Sequence, residues 1–368
     1  VLSFSPVSKF FETGKPDCAW FGFGYPSKTY AALVQGMARY MKLKPEDKTR
    51  ALRLAELSVA KLRKETFPEP CPLAGWPRTY TTSDGQFCTM PNLVDKVMLI
   101  YPCDVGAALL ELYSATGDKS CLADAERIAA VYLKSRRSDG TWPLVIDGKT
   151  GEAYGPNALV PDTLMLFFRD LKKVTGKTEY ARMEDECLTY LDGHTFKDWY
   201  WEGQFEDVIQ RPKYENMTGN ASRYMAMYLL DRFPGDPTRL AQARDMVRFS
   251  EDQFVLWGLM YNEKDGTQPQ GVRGGMGRWQ ENLPAVCEQY DCYCPVNGSA
   301  ASAIISWLAI GKATGNALDI AKAKSMADKM TAVQLDNGCI PTWWRFGDEL
   351  TEWVNCQIYS ANALFAIA

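Results

Sequence analysis

Histidine is nearly absent from this sequence: the 368 residues include a single one, His194. Because histidine is the commonest general base and a common metal ligand, its scarcity argues against catalysis built on histidine. We expect any chemistry to use carboxylates, tyrosine, arginine or cysteine, with no metal ion and no cofactor. His194 follows Asp192-Gly193 at the end of a predicted helix, where we expect a capping role.

Long apolar runs and basic clusters are also missing. No stretch of about 18 apolar residues occurs, so no membrane-spanning helix is predicted. The formal net charge is −4 and no block of lysine or arginine appears, which argues against a nucleic-acid partner. Val1 is not a start methionine, so we expect a mature or trimmed form, with a periplasmic or secreted location favoured over a cytoplasmic one.

A disulfide framework is not indicated either. The eleven cysteines are an odd number, scattered, and mostly in apolar contexts such as Cys121 and Cys187, which predicts buried free thiols. The densest group spans Cys287 to Cys294 and includes Glu288, Tyr290 and Cys292. A zinc site, a disulfide and a packed loop of free thiols all stay open there, although the C-x-C spacing is tighter than zinc ligands usually show.

What the sequence does contain is a regular series of glycine turns. Gly117, Gly176 and Gly235 each follow an amphipathic helical stretch, are spaced 59 residues apart, and each open another helical stretch. Glycine takes the left-handed conformation that ends a helix, and a following Asp or Thr can cap the next one. A helix–turn–helix unit repeated at this period predicts an array of helical hairpins.

The hairpins and the apolar chain ends together predict the fold. We expect an all-α protein, an α/α toroid of five to six hairpins, forming one domain over residues 1–368. A loop insertion at 258–296 is expected at the cavity mouth, and short strands are expected in the loops. The predicted helical segments are residues 30–64, 104–135, 162–191, 218–254, 298–335 and 355–368.

Acidic and aromatic residues concentrate where a ring of this kind has its mouth. Aromatic rings stack on sugars, and a pair of carboxyls supplies the acid and base of acetal chemistry, so the combination suits a carbohydrate. The structural alternatives are helix N-caps for the acids and core plugs for the tryptophans. The acids are Asp104, Asp162, Glu206, Asp207, Glu215, Glu288, Asp291 and Glu352, and the tryptophans are Trp142, Trp199, Trp201, Trp279, Trp343, Trp344 and Trp353.

A glycine-rich segment at 271–279 contains Arg273, Arg278 and Trp279. It lacks the Lys-Ser/Thr ending of a phosphate loop and follows no predicted strand, so nucleotide binding is rejected. Its two guanidinium groups suit a carboxylated sugar, because guanidinium pairs bidentately with carboxylate. A plain surface loop is the alternative.

Two segments carry a family resemblance. Tyr101-Pro-Cys-Asp104-Val-Gly106 before a Thr-Gly-Asp turn resembles the unsaturated glucuronyl hydrolases, and Val160-Pro-Asp162-Thr-Leu-Met165 resembles the next inner helix of that family and of the unsaturated rhamnogalacturonyl hydrolases. The resemblance spans residues 104–182 and implies a six-hairpin glycosidase fold. It further implies that Asp104 and Asp162 face the substrate and that Asp162 donates the proton that starts hydration of a 4,5-unsaturated sugar. Cys103 stands where that family often has histidine.

We therefore expect a carbohydrate-active enzyme that acts on uronic-acid-containing or unsaturated oligosaccharides. The expected catalytic residues are Asp104 and Asp162. The expected substrate-binding residues are Trp142, Trp201, Arg211, Tyr214, Glu215, Arg273, Arg278, Trp279, Glu288 and Trp344. The alternatives are a lyase with Tyr214 or Tyr290 as base, a glycosidase using Glu215 or Glu288, and a sugar-binding protein without catalysis.

Overall fold

The chain folds into helices joined by loops that contain short strands. The structure, a computed structural model, describes residues 4–17, 20–81, 91–206, 212–258, 282–290, 294–344 and 353–368. The helices are α1 (Ser5–Thr13), α2 (Pro26–Leu43), α3 (Lys48–Lys64), α4 (Tyr101–Thr116), α5 (Lys119–Ser135), α6 (Asp162–Thr175), α7 (Thr178–Gly193), α8 (Thr195–Asp198), α9 (Gly219–Arg232), α10 (Pro237–Phe254), α11 (Asn297–Thr314), α12 (Ala317–Ala332) and α13 (Val354–Ile367).

Six of these helices form a closed inner ring. Helices α2, α4, α6, α9, α11 and α13 each pack against the next, and α13 packs against α2. Helices α3, α5, α7, α10 and α12 each pack on the inner helix that precedes them and form the outer layer. This arrangement confirms the predicted all-α toroid and the predicted contact between the two ends of the chain. No helix of the described chain is long and apolar enough to cross a membrane.

The glycine turns behave largely as the sequence predicts. Gly117, Gly176 and Gly315 have φ values of 77°, 70° and 71° and end α4, α6 and α11 in the left-handed conformation. Gly235 also has positive φ, 82°, but it does not end its helix. Helix α9 stops earlier, at Arg232, because the residue before Pro234 is sterically biased away from helical backbone angles.

Two short antiparallel strand pairs lie in the connections. Strand β1 (Lys96–Met98) pairs with β2 (Val145–Asp147), and β3 (Val255–Leu256) pairs with β4 (Ala285–Val286). The second pair fixes where the 258–296 segment leaves α10 and returns to α11. Most of that segment lies outside the described residues, so its place at the cavity mouth and the single-domain boundaries stay predictions.

A buried carboxylate joins three helices on one side of the ring. Glu184 of α7 is fully buried, bonds Lys172 of α6, and accepts a 2.8 Å hydrogen bond from the Tyr228 hydroxyl of α9. Arg232 of α9 lies 3.5 Å from the same carboxylate. Hydrogen bonds and opposite charge on several sides are what a buried carboxylate requires. The cluster therefore fixes α6, and with it Asp162, relative to α9.

Inner helices approach closely at glycine. A Cβ atom placed on Gly106 of α4 would lie 2.3 Å from a ring carbon of Phe167 on α6, closer than side chains tolerate. The aromatic ring is rigid and buried, so the neighbouring helix would have to shift. Glycine at this position therefore sets the spacing between the two helices that carry Asp104 and Asp162.

We expect Gly106→Ala to destabilise the fold by about 1–2 kcal/mol, because overpacking costs more than the ~1 kcal/mol that alanine gains in a helix. Denaturant unfolding would measure the change in the free energy of unfolding. Gly193→Ala is the matched control, since a Cβ atom at Gly193 of α7 meets nothing within 4 Å. Equal stability of the two variants would contradict the close approach.

Candidate active site in the funnel of the ring

All six inner helices begin at the same end of the ring, so their first turns surround one opening. Asp104 lies in the first turn of α4, and Asp162 is the first residue of α6. Both carboxyls are therefore at the starts of inner helices, as the sequence predicts. A helix N-terminus carries a partial positive charge, which stabilises an acidic side chain there.

Asp104 opens into a cavity along the ring axis. The cavity has a volume of about 290 Å³, and Asp104, Thr163, Tyr224, Ser302 and Tyr359 contribute to its wall. These five residues come from α4, α6, α9, α11 and α13, so the cavity is enclosed by the ring itself. Farther along the cavity wall, Glu111 of α4 bonds Arg39 of α2, with Nε 2.7 Å from the carboxylate.

The two aspartates have different electrostatic environments. Burial raises the pKa of Asp104 to about 7, helped by repulsion from Asp162 and Glu206 and opposed by attraction from Lys28. Burial also raises the pKa of Asp162 to about 6, and hydrogen bonds from Thr163 oppose that rise. The Thr163 backbone N–H donates to Asp162 Oδ1 at 2.6 Å. No hydrogen bond to the Asp104 carboxyl occurs within the described residues.

A buried ion pair borders these carboxyls. Lys28 Nζ of α2 lies 2.5 Å from Glu206 Oε1, and the Tyr101 hydroxyl donates to the other Glu206 oxygen. Burial opposes ionisation of Glu206, yet the charge of Lys28 and the hydrogen bonds from Lys28 and Tyr101 hold its pKa below the usual value. Burial lowers the pKa of Lys28, and attraction from Glu206 and Glu288 outweighs it, so the lysine stays charged.

Sequence reasoning named Glu206 and missed Lys28. One signal was available: Lys28 lies in the first turn of α2, where the helix dipole disfavours a cation. Its ammonium group also lies 5.1 Å from the centre of the Trp353 ring, so Trp353 is the rim tryptophan that the structure places beside these charges. Glu288 is half-buried, and its charge reaches both Lys28 and Cys356.

Three tryptophans expected to contact substrate are in the core instead. Trp142, Trp201 and Trp344 are 2%, 0% and 1% exposed. Trp142 Nε1 donates to the Tyr132 carbonyl at 2.8 Å, as expected of a plug between helices. A ring without an open face cannot stack on a sugar, so the structure corrects these three assignments.

Other expected residues are peripheral or outside the described chain. Tyr214 and Glu215 are exposed, and the Tyr214 hydroxyl donates to the Asp198 carbonyl at 2.9 Å. Tyr290 donates to Gln253 at 2.7 Å, and burial raises its pKa, which works against a phenolate base. Several expected site residues lie outside the described residues: Arg211, Arg273, Arg278 and Trp279, with Asp207, Asp291 and Glu352.

His194 lies in the outer layer of the ring, whereas Cys103 lines the cavity beside Asp104. His194 is exposed at the end of outer helix α7, where Nδ1 lies 2.8 Å from the Tyr190 carbonyl, consistent with the expected capping role. Cys287 and Cys294 are buried, and Cys292 is not described. Within the described residues no group of three or more potential ligands is arranged around a metal position.

Comparison with known proteins gives fold relatives. No protein-family model and no curated protein matches the chain. A sugar epimerase from a ruminal bacterium matches with a TM-score of 0.65 and 12% identity over 100% of this chain and 98% of that one. Cellobiose 2-epimerase from Spirochaeta thermophila matches with a TM-score of 0.64 and 13% identity, over 96% of this chain and 88% of that one. A GH76 α-mannanase from Bacteroides thetaiotaomicron matches with a TM-score of 0.59 and 14% identity, over 94% of this chain and 86% of that one.

By their names, these neighbours act on carbohydrates: two are epimerases and one is a mannanase. They confirm the predicted fold. At this identity the likeness extends to the fold alone. The finer resemblance to unsaturated glucuronyl hydrolases is not shown by these neighbours.

We expect Glu206→Gln to lower the pKa of Asp104 from about 7. The substitution removes a repelling charge and leaves Lys28 without its anionic partner, and both changes favour the Asp104 carboxylate. Carbon NMR titration of the aspartate carboxyls, assigned by difference with Asp104→Asn, would measure the shift. Glu126→Gln, at an exposed ion pair with Lys177 outside the ring, is the control. An unchanged or raised Asp104 pKa would contradict the charge arrangement.

Proposed function

We propose that this protein is a glycan-processing hydrolase in which Asp104 and Asp162 perform acid/base catalysis. The observation that carries the proposal is the pair of carboxyls in the first turns of neighbouring inner helices, both desolvated and both with a pKa raised toward neutrality. Asp104 lines the axial cavity, and so does Thr163 of α6, next to Asp162. Neighbouring titratable groups with distinct environments are typical of an acid/base pair.

The environments favour different roles for the two carboxyls. Asp104 is held by no hydrogen bond within the described residues and has the higher pKa, so it suits the proton donor. Asp162 accepts two hydrogen bonds from Thr163, which stabilise its anion, so it suits the base or the group that faces the developing positive charge. This assignment reverses the one that the family resemblance implies.

The substrate that we propose is a uronic-acid-containing or unsaturated oligosaccharide. The uronate preference is supported by the motifs around Asp104 and Asp162 and by Arg273 and Arg278, which lie outside the described residues. A specific observation favours a neutral glycan as the second candidate. Three described cations at the cavity wall or its mouth are each engaged by an acid of this chain: Lys28 by Glu206, Arg39 by Glu111 and Arg169 by Asp170.

The described residues are less suited to two other reactions, epimerisation and elimination by a lyase. An epimerase of this fold would normally use paired histidines, whereas this chain has one, at the end of an outer helix. A lyase would need a tyrosine base, and the hydroxyls of Tyr214 and Tyr290 are engaged in hydrogen bonds of the loops.

A glycan panel tests the proposal. It contains unsaturated uronyl disaccharides from lyase digestion, α-linked mannooligosaccharides, cellobiose and free mannose. We expect hydrolysis of an oligosaccharide of the panel. Loss of near-ultraviolet absorbance would identify the unsaturated uronyl substrate, because hydration removes the double bond that a lyase creates. Epimerisation of cellobiose or isomerisation of mannose without hydrolysis would overturn the proposal, as would binding without turnover.

Asp104→Asn and Asp162→Asn should each lower turnover on the active glycan by a factor on the order of 10² or more, with the fold retained. Asp118→Ala is the contrasting control, since Asp118 caps outer helix α5 through a 2.9 Å bond to the Ser120 N–H. That variant should lose about 0.5–2 kcal/mol of stability and keep its turnover. The same outcome for Asp162→Asn would make Asp162 a cap rather than a catalyst.

The pH profile of kcat/KM should be bell-shaped with a maximum between about pH 6 and 7. Activity is lost in acid as Asp162, pKa about 6, gains the proton that a base must lack, and in alkali as Asp104, pKa about 7, loses the proton that it donates. Because the two carboxyls interact, the acidic and alkaline limbs of the profile give apparent pKa values that belong to the pair. Initial rates across pH check this, and a flat profile from pH 5 to 9 would contradict it.

A further inference from the structure

A buried arginine stands behind the funnel wall without an acid beside it. Arg223 of α9 is 1% exposed, and within the described residues it forms no ion pair. Its Nε donates to Ser302 Oγ at 2.9 Å, its Nη1 to Ser250 Oγ, and its Nη2 to Asn220 Oδ1 at 2.7 Å. Burying a charge among neutral partners is costly, so its hydrogen bonds are strongly determined.

Arg223 decides which way the Asn220 amide is turned. A guanidinium group only donates hydrogen bonds, so the oxygen of the amide must face it. The Ser302 hydroxyl lies 2.9 Å from the same oxygen, and its one proton can go either there or to the Ser299 carbonyl, also at 2.9 Å. The Nδ2 group of Asn220 must therefore point away from the arginine. Its contact there, Ser299 Oγ at 3.3 Å, is long for a hydrogen bond and engages one of its two N–H groups.

Asn220 lies at the opening of the funnel. It is the second residue of inner helix α9 and is half-buried. Residues four apart share a helix face, so Asn220 lies one turn above Tyr224, which lines the same cavity as Asp104. Ser302, the partner on α11, lines that cavity too. The amide thus presents a fixed N–H donor beside the space that the proposed reaction uses.

We propose that Asn220 is a substrate-binding residue whose Nδ2 donates to an oxygen of the bound sugar, and that Arg223 is its positioning residue. The proposal rests on the proposed function and adds a residue to it. The group recognised is an acceptor oxygen, a hydroxyl or a carboxylate, held at the opposite wall of the funnel from Lys28.

The test compares Michaelis parameters on the panel glycan that the wild type hydrolyses, the unsaturated uronyl disaccharide or the α-linked mannooligosaccharide. Asn220→Ala should raise KM roughly 10-fold, the upper range for one net hydrogen bond, and change kcat by less than about 3-fold. Asn220→Asp should raise KM at least as much, because it keeps an acceptor for Arg223 and loses the donor. The pH profile should be unchanged in Asn220→Ala, since neither asparagine nor alanine titrates.

Arg223→Met tests the positioning role. It should raise KM in the same direction, because the amide is then free to turn, and in the Asn220→Ala background it should add nothing further. Ser250→Ala is the matched control: Ser250 also accepts from Arg223, but it lies on outer helix α10, so KM should be unaffected. Should Arg223→Met fail to fold, the Asn220→Asp result decides the proposal.

An unchanged KM in Asn220→Ala and Asn220→Asp, with wild-type turnover intact, would overturn this inference and leave the proposed function standing. Lower melting temperatures with unchanged KM would also overturn it, since they mark a purely structural role. Absence of both turnover and binding by the wild type across the panel would overturn the proposed function and this inference together.

Discussion

The contact between the first and last inner helices is the constraint on which the site depends. Helix α13 closes the ring on α2, and Gly36 allows the approach: a Cβ atom there would lie 2.6 Å from Ile358 Cδ1. If the ring were open, the first turns of the inner helices would not surround a shared space. Closure brings Lys28 of α2, Asp104 of α4 and Tyr359 of α13 to one axis, although they come from distant parts of the chain.

The chemistry of that space follows from a surplus of acids in a poorly solvated funnel. Asp104, Asp162, Glu206 and Glu288 are set against one described cation at the mouth, Lys28. Desolvation raises both aspartate pKa values and repulsion adds to that of Asp104, whereas the direct bond to Lys28 holds the pKa of Glu206 down. One ion pair thus makes Glu206 a fixed charge and leaves Asp104 able to hold a proton near neutral pH.

The burial of the tryptophans could not be predicted from the sequence. Each lies in or beside a loop, where no period of 3.6 or 2 tells an inward side chain from an outward one. Trp142, Trp201 and Trp344 are in the core, whereas Trp353 lies under Lys28 at the mouth. An indole ring is apolar enough for the first environment and flat enough for the second, so composition alone could not separate them.

The sequence by itself determined the features that depend on neighbouring residues. Glycines with positive φ end helices, and Asp118 and Asp236 cap the helices that follow. The apolar pattern repeats helix after helix. Together these local features specify a toroid. The sequence also placed Asp104 and Asp162 at helix starts. Only the tertiary structure decided which distant side chains meet: Lys28 and Glu206 are 178 residues apart, and the Ser302 that contacts both Arg223 and Asn220 comes from α11. Hydrogen-bond partners, burial and the pKa values that follow from them belong to the closed ring, because local sequence carries no information about which distant side chain packs beside a given one.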